Sequence, residues 1–409
     1  MSAAPPRSGA SPAQGEALYA VLYGGLFMAL GAQMAFLQLW LEDWGLEAAE
    51  IGWVFAVSVA VRIAAGLIAP ALSDHLGRPG AVMAAMALAG IAAAAALALA
   101  GTRLEIYLAA AALSASYAAL IPLSDAHGFA SAERIGFSYR RARSVGSAAF
   151  LLATILCGLS VEWFGADATL WWIALPYAVV AVAALAAPKS ASPASDETAL
   201  APIEEPLAAP SRPATPAQGA LGWSWARRPR FLLFLLAVAA VQSSHAVYYN
   251  YGSVHWRALG YSETVIGALW SWGVIAEIGV FFIGAALMRR LGPANALALA
   301  GAAAILRWTA MSVDPPFLAV IALQTLHGLT FGLAHLAALA FAQDAAPPGR
   351  AATAQGVVSA SAGGVGMLIA TLAAASAYPA LGGGAYAIGA ALGLIAVFAA
   401  LRLGSARPA

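Results

Sequence analysis

Long apolar runs recur along this chain at intervals of about 30 residues. Ala81–Gly101, Phe231–Val241, Leu297–Ile305 and Tyr386–Leu401 are examples. A helix of roughly 20 apolar residues spans the hydrocarbon core of a bilayer, and only helices or closed barrels satisfy their backbone groups there. The runs lack the alternation that a barrel needs, so membrane-spanning helices are predicted. Composition agrees. Hydrophobic residues make up 62% of the chain and charged residues 10%, against roughly 25% charged in a soluble globular protein.

Twelve spans are predicted, at 16–40, 49–73, 80–100, 104–129, 143–164, 168–187, 230–256, 263–288, 294–311, 316–342, 352–376 and 381–403. The segment 1–15 is rich in Ala, Pro and Ser and reads as a disordered cytoplasmic tail rather than a cleavable signal. The segment 188–229 has no periodic apolar face and reads as a flexible cytoplasmic linker. The expected organisation is therefore a six-helix bundle over 16–187, the linker, a second six-helix bundle over 230–403, and a cytoplasmic tail over 404–409. The net charge of +1 points to no nucleic-acid partner, and the lone Cys157 leaves no intrachain disulfide or thiolate metal site.

Basic residues set the orientation. Arg78, Arg134, Arg140, Arg141, Arg227, Arg228, Arg289, Arg290 and Arg402 fall on one side. The opposite loops hold only Arg103 and Arg257, together with Glu42, Asp43, Glu47, Glu50, Glu162, Asp167 and Asp314. Both termini and the linker are expected in the cytoplasm. The halves also repeat. Ile51-Gly52 opens span two, and Ile266-Gly267 opens span eight 215 residues later. At the same offset Gly45 meets Gly260, Arg62 meets Glu277, Asp74 meets Arg289 and Gly77 meets Gly292. A weaker match sets Asp125 against His335. Parallel six-helix repeats are a transporter architecture with a midplane substrate site.

The loop after span two, Ser73-Asp74-His75-Leu76-Gly77-Arg78, and its echo Met288-Arg289-Arg290-Leu291-Gly292 resemble the cytoplasmic loop signature of the major facilitator superfamily. The resemblance implies an all-α integral membrane fold of two pseudo-symmetric six-helix bundles, and a charge latch at Asp74, Gly77, Arg78 and Arg289. A closer likeness covers nearly the whole chain outside tail and linker. Pro122-Leu123-Ser124-Asp125-Ala126, Ser243-Ser244-His245-Ala246-Val247-Tyr248-Tyr249 and Leu269-Trp270-Ser271-Trp272-Gly273-Val274-Ile275-Ala276-Glu277 resemble the bacterial 3-phenylpropionic acid transporter group, which is similar in turn to the lactose permease family of proton symporters. By that resemblance Asp125 stands where the permease family has a sugar-binding glutamate, and Arg143 stands at its partner arginine. Glu277, Arg307 and His327 stand in its coupling network. The family's lysine and proton-carrying glutamate of helix ten are Gln324 and Thr330 here, so those two roles do not carry over.

Ionisable residues inside a bilayer are costly and are therefore functional candidates. The clearest of these are Arg62, Asp125, Glu277, Arg307, His245, His327 and His335. The competing reading for each is a structural pair that fixes helix packing, or, for Arg307, snorkelling from a helix end. Helical spacing groups Pro122, Asp125 and Phe129 on one face, Trp270, Gly273 and Glu277 on another, His245, Tyr248, Tyr249 and Gly252 on a third, and His327, Phe331 and His335 on a fourth. A cavity holding Arg143 or Arg62 with Tyr248, Tyr249, Trp270 and Phe331 suits an aromatic organic acid, its carboxylate gripped by guanidinium and its ring packed on aromatic faces. The Asp125–Arg143 arrangement suits equally the hydroxyls of a sugar, with Trp stacked on its ring. Protons are expected to move through Glu277 and Asp125, with His327, Arg307, His245 and His335 in the network.

The expectation is a bacterial inner-membrane secondary transporter, a monomer in the lipid bilayer. It would import a small organic acid by proton symport and alternating access, with the proton gradient in place of any cofactor. A sugar or nucleoside symporter, a proton-antiport efflux pump and a non-transporting sensor are the alternatives. Span five lacks the Gly-Pro pair usual in efflux pumps of the superfamily, and no residue pattern of an enzyme active site is present.

Overall fold

The computed structural model describes residues 11–188, 225–346 and 351–405. Among these the chain is helical throughout, with no strand. The first six crossings are α1 (Pro12–Asp43), α2 (Ala48–Leu76), α3 (Pro79–Leu99), α4 (Arg103–Ile135), α5 (Tyr139–Phe164) and α6 (Ala168–Ala186). Later come α7 (Pro229–Ala258) and α10 (Phe317–Ala345). Two further apolar stretches, Glu263–Met311 and Thr353–Ser405, are 49 and 53 residues long. At 1.5 Å per residue each would extend roughly 75 Å, more than twice a hydrocarbon core of about 30 Å. Neither is a single crossing. The first breaks at Gly292, with φ 69° and ψ 163°, into α8 (263–291) and α9 (293–311). The second breaks at Gly382 (φ 52°) and a tight turn over Gly382–Tyr386, into α11 (351–381) and α12 (Ala387–Ser405). Ten apolar stretches thus make twelve crossings among the described residues, in line with the spacing.

The repeat is written in backbone conformation as well as in residue type. Gly45 (φ 102°) and Gly260 (φ 87°) both occupy the left-handed region, as do Gly77 (φ 62°) and Gly292 (φ 69°). A side chain is disfavoured there, so these matched glycines end or redirect helices where other residues would strain. Gly77 caps α2 by donating its N–H to the Ser73 carbonyl, so the glycine of the loop signature is a helix stop. Pro79 and Pro293 follow at the starts of α3 and α9.

The terminal and linker expectations need correction at their edges. Helix α1 begins at Pro12, inside the segment expected as a disordered tail over 1–15. The Ser11 hydroxyl accepts the Gln14 N–H, and the Gln14 side chain accepts the Ser11 N–H at 2.9 Å. That reciprocal cap satisfies orphan donors and starts the helix. At the linker's end Trp225–Arg227 forms a 3-10 turn, because Trp225 is buried with its ring 5.0 Å from that of Phe231. At the C-terminus α12 includes Gly404 and Ser405. The remaining tail and linker residues, 1–10, 189–224 and 406–409, lie outside the described residues.

The described residues form two compact units. The first joins 11–188 with 251–271, and the second joins 225–250 with 272–346 and 351–405. Among the described residues the units therefore also divide within α7 and α8. Specific bonds bring 251–271 into the first unit. Tyr251 donates to the Ala48 carbonyl at 2.8 Å, and the Ser253 N–H to Gln38 at 3.1 Å. Arg257 pairs with Glu42 and, at 2.7 Å, with Asp43. A Cβ at Gly158 would strike the Glu263 carbonyl, and one at Gly267 the Thr154 carbonyl, so α5 and α8 touch backbone to backbone.

The first unit's core is rich in buried Tyr, the second's in a Phe231, Phe234 and Phe341 cluster whose last two rings stack at 4.1 Å. Large apolar side chains such as Leu67, Ile68, Leu185 and Phe282 face outward, as lipid contact requires.

Candidate substrate and proton sites

In the first unit the chemistry gathers around Asp125 of α4. Tyr139, at the start of α5, donates to Asp125 Oδ1 at 2.9 Å. Arg143, one turn further along α5, brings Nε to 3.3 Å from the same oxygen. At that distance the charges attract, but the buried Nε makes no hydrogen bond. The guanidinium carbon sits 4.1 Å from the Phe27 ring centroid and 5.3 Å from that of Tyr23. Two aromatic faces therefore share the cation with one carboxylate. Arg143 keeps 25% of its side-chain surface accessible and Asp125 32%, so the pair is within reach of a ligand.

Glycine makes this packing possible. A Cβ on Gly128 would lie 2.7 Å from the Tyr23 hydroxyl, and one on Gly146 would lie 3.0 Å from the Phe27 ring. Tyr23 donates to the Ser124 carbonyl at 2.9 Å. Phe129 meets Tyr139 edge to face at 5.8 Å. Half-buried Arg62 joins the same neighbourhood, because Arg62, Arg143 and Asp125 all act electrostatically on Tyr117.

Sequence reasoning missed Tyr19, Tyr23, Phe27, Tyr139 and His127. The first three recur at steps of four on α1, a visible stripe, but it carries no charge and so did not stand out. His127 Nδ1 is 2.6 Å from the Tyr19 hydroxyl, which also reaches Ser131 at 2.8 Å. Trp270 also belongs to the first unit. It is 3% exposed, and its indole N–H is committed to Ser253 at 2.9 Å. It offers no open face for stacking on a sugar in this structure.

The second unit holds a different cluster, centred on Arg307 of α9. Its side chain is fully buried, so the snorkelling alternative is not realised. Nη1 donates to His327 Nδ1 and to Thr330, each at 3.1 Å, and Nη2 donates to the Gln324 carbonyl oxygen. Gln324 passes its amide N–H to Tyr248 at 3.0 Å. Thr330 is 3.0 Å from His245 Nε2. Glu277 of α8 lies 3.9 Å from His327 Nε2. The residues at the two departures from the permease pattern, Gln324 and Thr330, are thus direct partners of Arg307. Among the described residues no carboxylate pairs with Arg307.

Irregular helix positions hold this cluster. His245 sits at a break in α7, between Pro229–Ser243 and Ala246–Ala258. There Ser244 bonds the Val241 carbonyl at 2.6 Å and accepts the Trp308 indole N–H at 2.9 Å. Thr330 lies in a π-helical turn of α10, Gly328–Leu333, a kind of distortion often found at functional sites. Tyr249 stacks on His245 at 5.4 Å, and Phe331 on His327 at 5.4 Å. His335 is exposed and meets Phe331 and Phe281 by ring contact, outside the Arg307 hydrogen bonds.

The expected substrate residues therefore divide. Asp125, Arg143, Arg62 and Trp270 belong to the first unit, and Tyr248, Tyr249 and Phe331 to the second. Of the latch residues, Gly77 ends α2, and Asp74, Arg78 and Arg289 are exposed at helix ends.

Helices throughout the described residues, with twelve apolar crossings and ionisable clusters in both units, have the construction of a multi-pass membrane transporter for small molecules. The chain belongs to the MFS_1 like family, whose model matches residues 17–383. It is 28% identical over 379 residues to a probable 3-phenylpropionic acid transporter of Escherichia coli (strain K12), covering 92% of this chain and 94% of that protein. It is likewise 28% identical over 362 residues to the maltose permease of Geobacillus stearothermophilus, covering 87% and 86%. Among solved structures, the nucleoside transporter NupG matches with a TM-score of 0.78 at 15% identity, over 96% of this chain and 100% of that one, a likeness of fold. These relatives are transporters, and the chain is a transporter rather than an enzyme.

Proposed function

We propose that the protein imports a small aromatic organic acid of the 3-phenylpropionate kind together with a proton, by alternating access. The observation that carries this reading is the Arg143 guanidinium, held between Phe27 and Tyr23 and bound only loosely, at 3.3 Å, to Asp125. A substrate carboxylate binds a guanidinium in two parallel hydrogen bonds, a stronger arrangement than the single contact Asp125 makes. An aromatic ring packs on the neighbouring aromatic faces.

Charge balance then couples the substrate to a proton. With Asp125 ionised, the pair sums to zero. A substrate anion that joins Arg143 sets a second carboxylate beside Asp125, and two like charges sharing one guanidinium repel. Protonation of Asp125 removes the repulsion. Binding of the anion and uptake of the proton therefore favour each other, which is symport. Glu277 is a second carboxyl inside the membrane, available to titrate in the other unit. The proton gradient is the energy source, and no cofactor is required. The arginine-rich loops support a bacterial inner membrane with both termini in the cytoplasm, and the protein acts as a monomer.

The test is uptake into proteoliposomes under an imposed pH gradient, with labelled phenylpropionate, lactose, maltose and uridine. A weak acid crosses lipid in its neutral form, so protein-free liposomes are the control. Saturable, gradient-driven accumulation of phenylpropionate is expected. Accumulation of a sugar alone overturns the organic-acid reading.

A further inference from the structure

Hydrogen bonds around Arg307 run in one direction, because a guanidinium only donates. His327 Nδ1, 3.1 Å from Arg307 Nη1, must therefore accept, and it carries no proton. The ring proton sits on Nε2, on the side of Glu277. Protonating Nδ1 would set one N–H against another beside a full positive charge. The Gln242 carbonyl only accepts, so His245 Nδ1, 3.1 Å away, is a donor. His245 Nε2 faces Thr330 Oγ1 at 3.0 Å, and that oxygen already takes an Arg307 N–H. The hydroxyl proton of Thr330 then goes to His245 Nε2, its nearer acceptor at 3.0 Å, rather than to the His327 carbonyl at 3.5 Å. A cationic His245 would place a second positive donor on the same oxygen. Gln324 is oriented by the same rule, its carbonyl toward Arg307 and its amide N–H toward Tyr248.

We infer that the Arg307 array locks His327 as the neutral Nε2–H form and His245 as the neutral Nδ1–H form, so that Glu277 is the proton-binding group of this cluster and Thr330 is the positioning residue joining Arg307 to the break in α7. The groups facing His327 come from every neighbouring helix. Arg307 comes from α9, Glu277 from α8, His245 and Tyr248 from α7, and Phe331 and Thr330 from α10 itself. The cation nearest the two imidazoles excludes a second proton from both, and the carboxylate lies beyond His327. The two histidines are then hydrogen-bond links rather than carriers, which revises the sequence expectation for His327 and His245. Thr330 bonds Arg307 and His245 at once from a π-helical turn. A change at Glu277 therefore reaches the α7 break through His327, Arg307 and Thr330.

This rests on the proton-coupled reading only for its consequence in transport, and the array has a test of its own. The full-length protein, with 15N-labelled histidine, is placed in lipid nanodiscs and followed by solid-state NMR from about pH 8 to about pH 5, the range in which an ordinary imidazole titrates. Subtracting H327Q and H245N spectra assigns the signals. His327 is expected to stay neutral with Nε2 protonated throughout, and R307M is expected to let it titrate. T330V is expected to change the His245 signal and T330S to restore it. A His327 that titrates in the wild type, or that carries its proton on Nδ1, overturns the proposal. In uptake, E277Q is expected to cut gradient-driven accumulation about tenfold, and H327Q, which still accepts from Arg307, to cut it less. The reverse pattern also overturns it. If phenylpropionate is not transported at all, the transport reading fails while the NMR result still decides the array.

Discussion

The two units solve the problem of an intramembrane arginine in different ways. Arg143 in the first unit has a carboxylate 3.3 Å away, two aromatic faces around it and a quarter of its side chain accessible. Arg307 in the second is fully buried, and its partners Gln324, Thr330 and His327 are neutral acceptors. A paired and accessible charge can exchange partners with a ligand. A buried charge with every acceptor fixed cannot do so without dismantling its surroundings, but it controls the protonation of what lies next to it. In the proposed mechanism the difference suits the first cluster to ligand exchange and the second to electrostatic control.

The largest expected effect is at Arg143. R143Q removes the cation that grips the substrate carboxylate and should abolish saturable uptake, and R143K, which lacks the planar fork, should retain only a small part of it. If R143Q transports normally, ligand exchange does not occur at this cluster and the contrast between the units collapses. Next comes Thr330. T330V leaves an Arg307 N–H and His245 Nε2 without their shared partner, which costs about 1–3 kcal/mol. Thermal unfolding in detergent should fall accordingly, and an unchanged midpoint would show the second cluster to be looser than its geometry. G128A places a methyl 2.7 Å from the Tyr23 hydroxyl. Overpacking of this kind costs about 1–3 kcal/mol and should displace Tyr23 from Arg143, lowering substrate affinity more than stability if the ring has a ligand-facing role. Smallest is Y139F, which removes one hydrogen bond to the Asp125 carboxylate. It should weaken substrate binding by less than about tenfold, because one hydrogen bond is worth about 1 kcal/mol. A loss as large as that of R143Q would mean that Tyr139 itself holds the substrate.

The membrane crossings were legible because the bilayer imposes their length, and the repeat was legible because Gly45, Gly77, Gly260 and Gly292 occupy conformations that favour glycine. The start of α1 was hidden in an Ala-, Pro- and Ser-rich stretch, although Ser11 and Gln14 stand at capping-box spacing. Asp125, Arg143, Glu277, His327 and Arg307 could be found because charge in an apolar span is conspicuous. Tyr23 and Phe27 could not, since an aromatic on an apolar helix looks like packing until the cation it covers is placed. The depth of Arg307 was equally obscure. It lies four residues from the end of α9, yet Trp308, Tyr248 and Tyr386 close over it. The assignment of 251–271 to the first unit depends on bonds between residues about 100 to 215 positions apart in sequence, which no local pattern reveals.

The most direct measurement is proton uptake on substrate binding by the purified protein in weakly buffered detergent solution. Exchange at the Asp125–Arg143 pair predicts that phenylpropionate takes up about one proton per molecule bound near neutral pH, and that D125N binds it with no proton uptake. Binding without proton uptake in the wild type, or uptake that persists unchanged in D125N, would contradict the account.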